Sequence, residues 1–206
     1  EVGQDVVLDP DNRLSGGEAI SAVVKDVNHR HLLTVTLDSP PLFSGMRSLR
    51  AYPDEARGLE VSSLLSSGAR SWASHDPRVL GGRRPTFVAG RDVNGPLNVG
   101  LEVSLPAAAG NDSPRTRIIA FGDADFVSNR FLDYLGNKDL LLNSINWLSR
   151  AEALIAPRAK TKKPGKHQFF VSQAEGRRLF WATVVVQPGL FLAVGVLVLL
   201  VRRFSS

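Results

Sequence analysis

Two carboxylates two residues apart, Asp123 and Asp125, sit in the stretch Gly122-Asp123-Ala124-Asp125-Phe126, directly after the apolar run Ile118-Ile119-Ala120-Phe121. Loops at the carboxyl ends of strands are where open α/β sheets place their sites. A carboxylate pair there can hold Mg²⁺ or divide the roles of general acid and base. No phosphate-binding loop, second carboxylate cluster or partner histidine lies within sequence reach, so the preferred reading is structural: one aspartate caps the following helix and the other faces solvent. His29 and His31 are spaced so that, in a strand, both rings share one face and could ligate a metal. With no third ligand close in sequence, surface or structural histidines are preferred. Ser62, Ser63, Ser66 and Ser67 lack the Gly-x-Ser-x-Gly elbow of a nucleophile and read as loop serines. The chain has no cysteine, which excludes disulfides, thiolate metal sites and cysteine nucleophiles. These patterns give no catalytic group, no resident metal and no cofactor.

The elements around the aspartates form the best-defined unit. The run 118–121 is continuous enough in apolar residues to predict a strand buried on both faces. A short helix is expected over Phe126 to Leu135, closed by Gly136 as its C′ residue, with Asn137 as N-cap of a second helix from about Lys138 to Arg150. On that second helix Leu141, Ile145 and Leu148 recur at helical spacing and predict the buried face. Strand, acidic loop, helix, helix is an α/β pattern. Upstream, residues 5–8 and 58–67 read as strands and residues 42–50 as a short element with Arg47 exposed; 19–27 is apolar without a clear period. Residues 86–90 and 97–105 are expected as adjacent strands around the Asn94-Gly95-Pro96 turn, and 106–114 as a flexible loop.

The last part of the chain differs in kind. From Leu179 to Val201 there is no charged residue, with Arg177 and Arg178 before the run and Arg202 and Arg203 after it. As a helix, about 23 residues at about 1.5 Å each span about 34 Å, enough for a hydrocarbon core of about 30 Å. Pro188, beside Gln187 and Gly189, removes a hydrogen bond and predicts a kink. Residues 156–166 are basic and rich in proline and glycine, as expected of an extended linker at a membrane surface. The predicted organisation is a folded domain over 1–155, a basic linker over 156–172, and a membrane helix with a short tail over 173–206. The net charge of +5 and pI near 10.0 do not indicate nucleic-acid binding, because the basic residues are not interleaved with aromatics and many cluster beside the apolar run.

Several of these stretches together resemble the membrane-anchored auxiliary proteins of bacterial ABC transporters of the gliding-motility type, the GldG-like family. The matching pieces are Val6 to Pro10, His31 to Thr34 followed by Arg47, the Leu-Leu-x-Ser run before Trp72, and Gly95-Pro96 leading into a strand. To these are added the 122–126 loop with Asn129, the Gly136-Asn137 pair, Asn143 to Leu148, and the basic linker before a terminal span. The resemblance covers nearly the whole chain. It implies a Rossmann-like, amidotransferase-like α/β domain followed by a single C-terminal transmembrane helix in the bacterial inner membrane. It also implies permease and ATPase subunits as partners, no catalytic residues, and a ligand- or partner-binding loop at Asp123, Asp125 and Asn129. Because the chain opens on Glu1, has Met46 as its single methionine and is shorter than such proteins, a truncated or split member is expected. Charge counting around the span would put the domain in the cytoplasm, whereas the resemblance puts it outside. A large preceding domain can cross regardless of charge, and Arg202 with Arg203 supplies a cytoplasmic stop, so the extracytoplasmic reading is preferred. The alternatives to a non-enzymatic auxiliary subunit are a membrane-tethered metal-dependent hydrolase using Asp123 and Asp125, and a structural scaffold of a membrane assembly.

Overall fold

A computed structural model describes residues 1–13, 20–52, 59–81, 85–105, 116–150, 155 and 173–204. The expected linker over 156–172 and the expected loop over 106–114 lie outside the described residues. Among the described residues there are nine strands: β1 (Val6–Leu8), β2 (Ser21–Val23), β3 (Asp26–Val27), β4 (Leu42–Ser44), β5 (Glu60–Ser66), β6 (Trp72–Ser74), β7 (Val93–Asn94), β8 (Asn98–Leu105) and β9 (Thr116–Phe121). They are followed by helix α1 (Asn137–Leu148) and a C-terminal helical run made of α2 (Gln173–Phe180), a π-helical stretch (Trp181–Val186) and α3 (Gln187–Phe204).

The main sheet has four strands in the order β3-β5-β8-β9, and smaller sheets pair β1-β6-β7 and β2-β4. Every ladder among the described strands is antiparallel. The protein is thus a mixed helix and sheet fold, but these strands do not make the parallel, doubly wound sheet that a Rossmann-like reading implies. β8 and β9 are paired from Gly100↔Phe121 to Leu105↔Thr116, and a short connection between neighbouring strands returns the chain antiparallel where a parallel pair would need a long crossover.

That topology corrects three expectations. The 118–121 run is not buried on both faces: β9 lies at the end of the sheet, Ile119 and Phe121 pack on the core, and Ile118 is 48% exposed. Residues 86–90 form no strand beside β8, whose neighbours are β5 and β9. The chain there turns so that Val88 N–H donates to the Asp92 carboxylate and its carbonyl accepts from Arg91 and Asp92. On α1 the buried residues are Asn137, Leu140, Asn143, Ser144 and Trp147; of the expected face Leu141 is partly buried against the main core, while Ile145 and Leu148 are 51% and 45% exposed. The spacing is helical as expected, but the face is rotated. Asn143 and Ser144 can be buried there because Asn143 Nδ2 donates to the Leu33 carbonyl and Thr36 Oγ1, both at 3.0 Å, and Ser144 Oγ donates to the Leu140 carbonyl.

The segment from β4 to Leu49 joins the parts. Val7 N–H donates to the Met46 carbonyl, Leu49 N–H to the Asn98 carbonyl and Arg47 N–H to the Gly122 carbonyl, each at 2.8 Å. Phe43 and Met46 are fully buried in the main core with Val7, Leu33, Leu64 and Leu140, and Ile155 belongs to the same cluster. A smaller cluster places Val23 and Leu42 against Phe131.

The C-terminal run is of another character. Among the described residues one helix is long and apolar enough to cross a membrane, Glu175–Val198, with mean hydropathy 2.0 and none of it buried. Leu190, Phe191 and Leu192 are all highly exposed. The π-helical stretch ends at Val186, two residues before Pro188, whose missing N–H cannot serve the preceding turn, so the irregularity falls where the proline dictates. Thr183 Oγ1 donates back to the Leu179 carbonyl at 2.8 Å, which removes its hydroxyl from the apolar surface.

Candidate functional site

Gly122 begins the acidic loop because two backbones meet there. Its N–H donates to the Val99 carbonyl at 2.9 Å, and a Cβ at this position would lie 2.1 Å from the Arg47 carbonyl oxygen. Asp123, next in the chain, is buried. Its Oδ2 accepts from Ser44 N–H and its Oδ1 from Asp125 N–H, each at 2.9 Å. One carboxylate therefore holds the first turn of the loop and ties it to β4. Burial pushes the Asp123 carboxyl above its ordinary value, while backbone donors from Ser44, Asp125 and Phe126 work in the opposite direction. Asp125 and Asn129 are exposed. Both Asp123 oxygens are engaged by backbone donors while Asp125 faces solvent, and among the described residues there is no group of three or more His, Cys, Asp or Glu that could hold a metal.

The expected helix over 126–135 is a 3-10 turn at Asp125–Val127 followed by separate turns, in which Phe126 enters the main core and Phe131 the smaller one. Facing two different clusters within six positions is incompatible with one regular helix face. Gly136 is not a C′ glycine. The left-handed backbone belongs to Leu135 (φ 45°), and Gly136 is needed because a Cβ there would lie 2.1 Å from the Ser39 carbonyl oxygen. Nor does Asn137 cap α1. It is the first helical residue, fully buried, with Oδ1 accepting from Leu42 N–H at 2.7 Å and Nδ2 donating to the carbonyls of Leu42 and Phe131. Its amide satisfies the backbone of β4, whose one strand partner among the described residues is β2. Asp5 and Asp9 act similarly, on Ser48 and on Asn12 and Gly68.

The histidines part company. His29 is exposed and the chain there is turn, not strand, so the two rings share no face. His31 lies tilted against Trp147, ring centroids 5.7 Å apart, with Nε2 3.8 Å from Glu102 Oε2. Leu33 N–H donates to His31 Nδ1, which leaves the neutral ring's proton on Nε2, facing the carboxylate. Arg117 stacks over the Trp147 ring at 4.5 Å and donates to the Trp147 carbonyl at 2.7 Å. Glu102 itself, in the central strand β8, is 3% exposed and its Oε1 has no hydrogen-bond partner. Burial raises the Glu102 carboxyl, and Glu60 adds to this, while Ser104, Ser62 and Arg117 lower it; burial and then Arg117 lower His31. This acid–imidazole–guanidinium group, with Glu102 buried and His31 and Arg117 half-buried, escaped sequence reasoning. The only local signal was a lone Glu in the run 97–105, and its partners come from distant positions in the chain.

The serines are held by their neighbours: Ser63 Oγ donates to Asn98 Oδ1 at 2.7 Å, and Ser67 and Ser71 share a hydrogen bond of 2.7 Å. Among the described residues none of these hydroxyls is bonded to a histidine, so no nucleophile arrangement forms. Depressions among the described residues lie elsewhere. One of about 230 Å³ is lined by Asp76, Arg78 and Arg91, whose guanidinium groups hold the Asp76 carboxyl at about 2. A shallower one of about 460 Å³ runs along Asp26 to Arg30 and β5. Neither is lined by Asp123, Asp125 or Asn129.

No family model, no curated protein and no solved structure matches the chain.

Proposed function

We propose that the chain is a non-enzymatic, membrane-anchored auxiliary subunit of a bacterial ABC transporter of the gliding-motility type. In this reading α2 and α3 hold it in the inner membrane, packed on the permease, and the folded domain lies outside the cytoplasm, where the exposed Asp125 and Asn129 of the acidic loop meet a partner. The observation that carries the proposal is the contrast between a terminal helix with no covering of its own and a domain whose buried polar motif residues are directed inward. The helix of Glu175–Val198 leaves its whole apolar surface to lipid or to another helix. Asp123, Asn137 and Asn143 are bonded to their own backbone, as expected of a binding scaffold and not of a reaction centre. The Rossmann-like, amidotransferase-like relationship remains part of the proposal. It draws on the order of strand, acidic loop and helix, and not on the antiparallel ladders.

Recovery of the chain from its native membrane in mild detergent tests this. A multi-span permease and an ATPase are expected to co-purify with it. Its isolation alone, under conditions that keep other transporters whole, would refute the proposal.

A further inference from the structure

We infer that the folded domain does not hang freely from its anchor but docks on the phospholipid surface through the loop between β3 and β4, with Leu32 and Val35 entering the bilayer interface. The inference rests on the reading of the terminal helix as a membrane span and adds a second, independent membrane contact to it.

The geometry begins at an ion pair. Lys25 Nζ, beside the short edge strand β3, lies 3.0 Å from Glu175 Oε1 in the first turn of α2. Glu175 precedes Leu179, where the uncharged run starts, by one helical turn, or about 6 Å along the axis. The polar region on each side of a bilayer is about 5–7 Å deep, so Glu175 and its partner Lys25 stand at headgroup level. Trp181 follows at the start of the apolar run, the level at which indole rings settle.

The loop that leaves this point returns to it. Val24 N–H donates to the Pro41 carbonyl at 2.8 Å, which closes the segment at the residue before Lys25. Within the loop, Thr34 Oγ1 donates to the Asn28 carbonyl at 2.5 Å, and Thr34 and Val35 N–H donate to the His31 carbonyl. Leu33 and Leu37 are buried in the main core with Leu140 and Trp147 of α1, Thr34 is buried within the loop, and Leu32 and Val35 are 45% and 47% exposed. Two outward aliphatic side chains on a closed, hydrogen-bonded loop cost little ordering entropy when they enter an interface. Arg30, exposed in the same loop, can reach lipid phosphate, while Asp26 limits the positive charge of the patch.

Because the chain has no cysteine, single labels are clean. The full chain would be placed in nanodiscs of phosphatidylcholine with a quarter phosphatidylglycerol and lipids carrying a doxyl quencher near the headgroup or, for the label at 192 near the middle of the span, deep in the acyl chain. An environment-sensitive fluorophore would be attached in turn through Leu32→Cys, Val35→Cys, Thr116→Cys and Leu192→Cys. Thr116 is exposed on β9, three strand spacings or about 14 Å from β3. Labels at 32 and 35 are expected to lose roughly half their emission and the label at 116 less than roughly a tenth. Quenching at 192 with 32 and 35 no more quenched than 116 would overturn the docking while leaving the span intact. An unquenched label at 192 would overturn the span and the docking together. Labels at 32 and 35 that are shielded only when a permease is added would assign the loop to a protein partner and also overturn the inference.

Discussion

Two sets of buried polar groups lie within the same domain and are treated oppositely by it. Around Asp123 and Asn137 the polar side-chain atoms meet backbone groups of β4 at 2.7–3.1 Å. Around Glu102 one carboxylate oxygen has no partner, the nearest imidazole nitrogen is 3.8 Å from the other, and the guanidinium of Arg117 is engaged with Trp147. Burial is similar, satisfaction is not. Where hydrogen bonds are complete, a buried polar residue substitutes for missing secondary structure and fixes one arrangement. Where they are incomplete, it is a site of stored cost. The acidic loop that looked most like a reaction centre belongs to the first kind.

Breaking the complete set should give the largest effect. Asn137→Ala orphans the Leu42 N–H and the carbonyls of Leu42 and Phe131. It is expected to lower stability by about 3–4 kcal/mol in urea titration of the full chain in detergent. Gly122→Ala should follow at about 1–3 kcal/mol, because the Cβ must displace the Arg47 carbonyl. If either variant unfolds at the wild-type midpoint, the joint between the acidic loop and the segment 42–49 is not what holds the domain together.

Glu102→Gln sharpens the contrast in the other direction and should raise the midpoint at neutral pH. The sign follows from the raised carboxyl: the folded state keeps its proton above the ordinary value of 4.5, so wild-type stability falls as pH rises from there through the folded value. The variant should lack that fall, and its advantage should vanish at the acid end. His31 acts oppositely. Its lowered pKa means the fold holds it neutral, so stability is lost as pH drops below 6.5 toward the folded value, and His31→Gln should flatten that limb of a melting-temperature profile. The smallest effect is expected from Asp125→Asn, an exposed side chain, at under about 0.5 kcal/mol on stability. In the proposed role it should nonetheless weaken partner recovery, and unchanged recovery would remove the acidic loop from the binding surface.

Local patterns carried part of this architecture. β1, β5 and β8 follow from short alternating or apolar runs bounded by turn residues, and the terminal helix follows from composition alone. The α1 face did not follow, because three aliphatic residues at the right spacing competed with a set that includes Asn143 and Ser144. Only the loop carbonyl of Leu33, more than a hundred positions earlier, makes that second set worth burying. Gly136 was legible as a special residue but not for the right reason, since the close approach of Ser39 is a tertiary fact. The exposure of Asp125 was legible, but the helix-capping role expected of its neighbour was not what formed: Asp123 holds the loop's own turn through Asp125 N–H, and the short helix that follows has no side-chain cap. That Asp123 also binds Ser44 was not legible, and neither was the His31–Glu102–Arg117 group, which exists only once β8, β9 and the loop before β4 are packed.

The central claim, that the uncovered helix is covered by a permease, can be tested by placing a photo-cross-linking residue at Leu192, 72% exposed in the span, in cells that make the full chain. A single adduct with a multi-span membrane protein, recovered with an ATPase, is predicted. Adducts with lipid alone at this position and at each of its helical neighbours would contradict it.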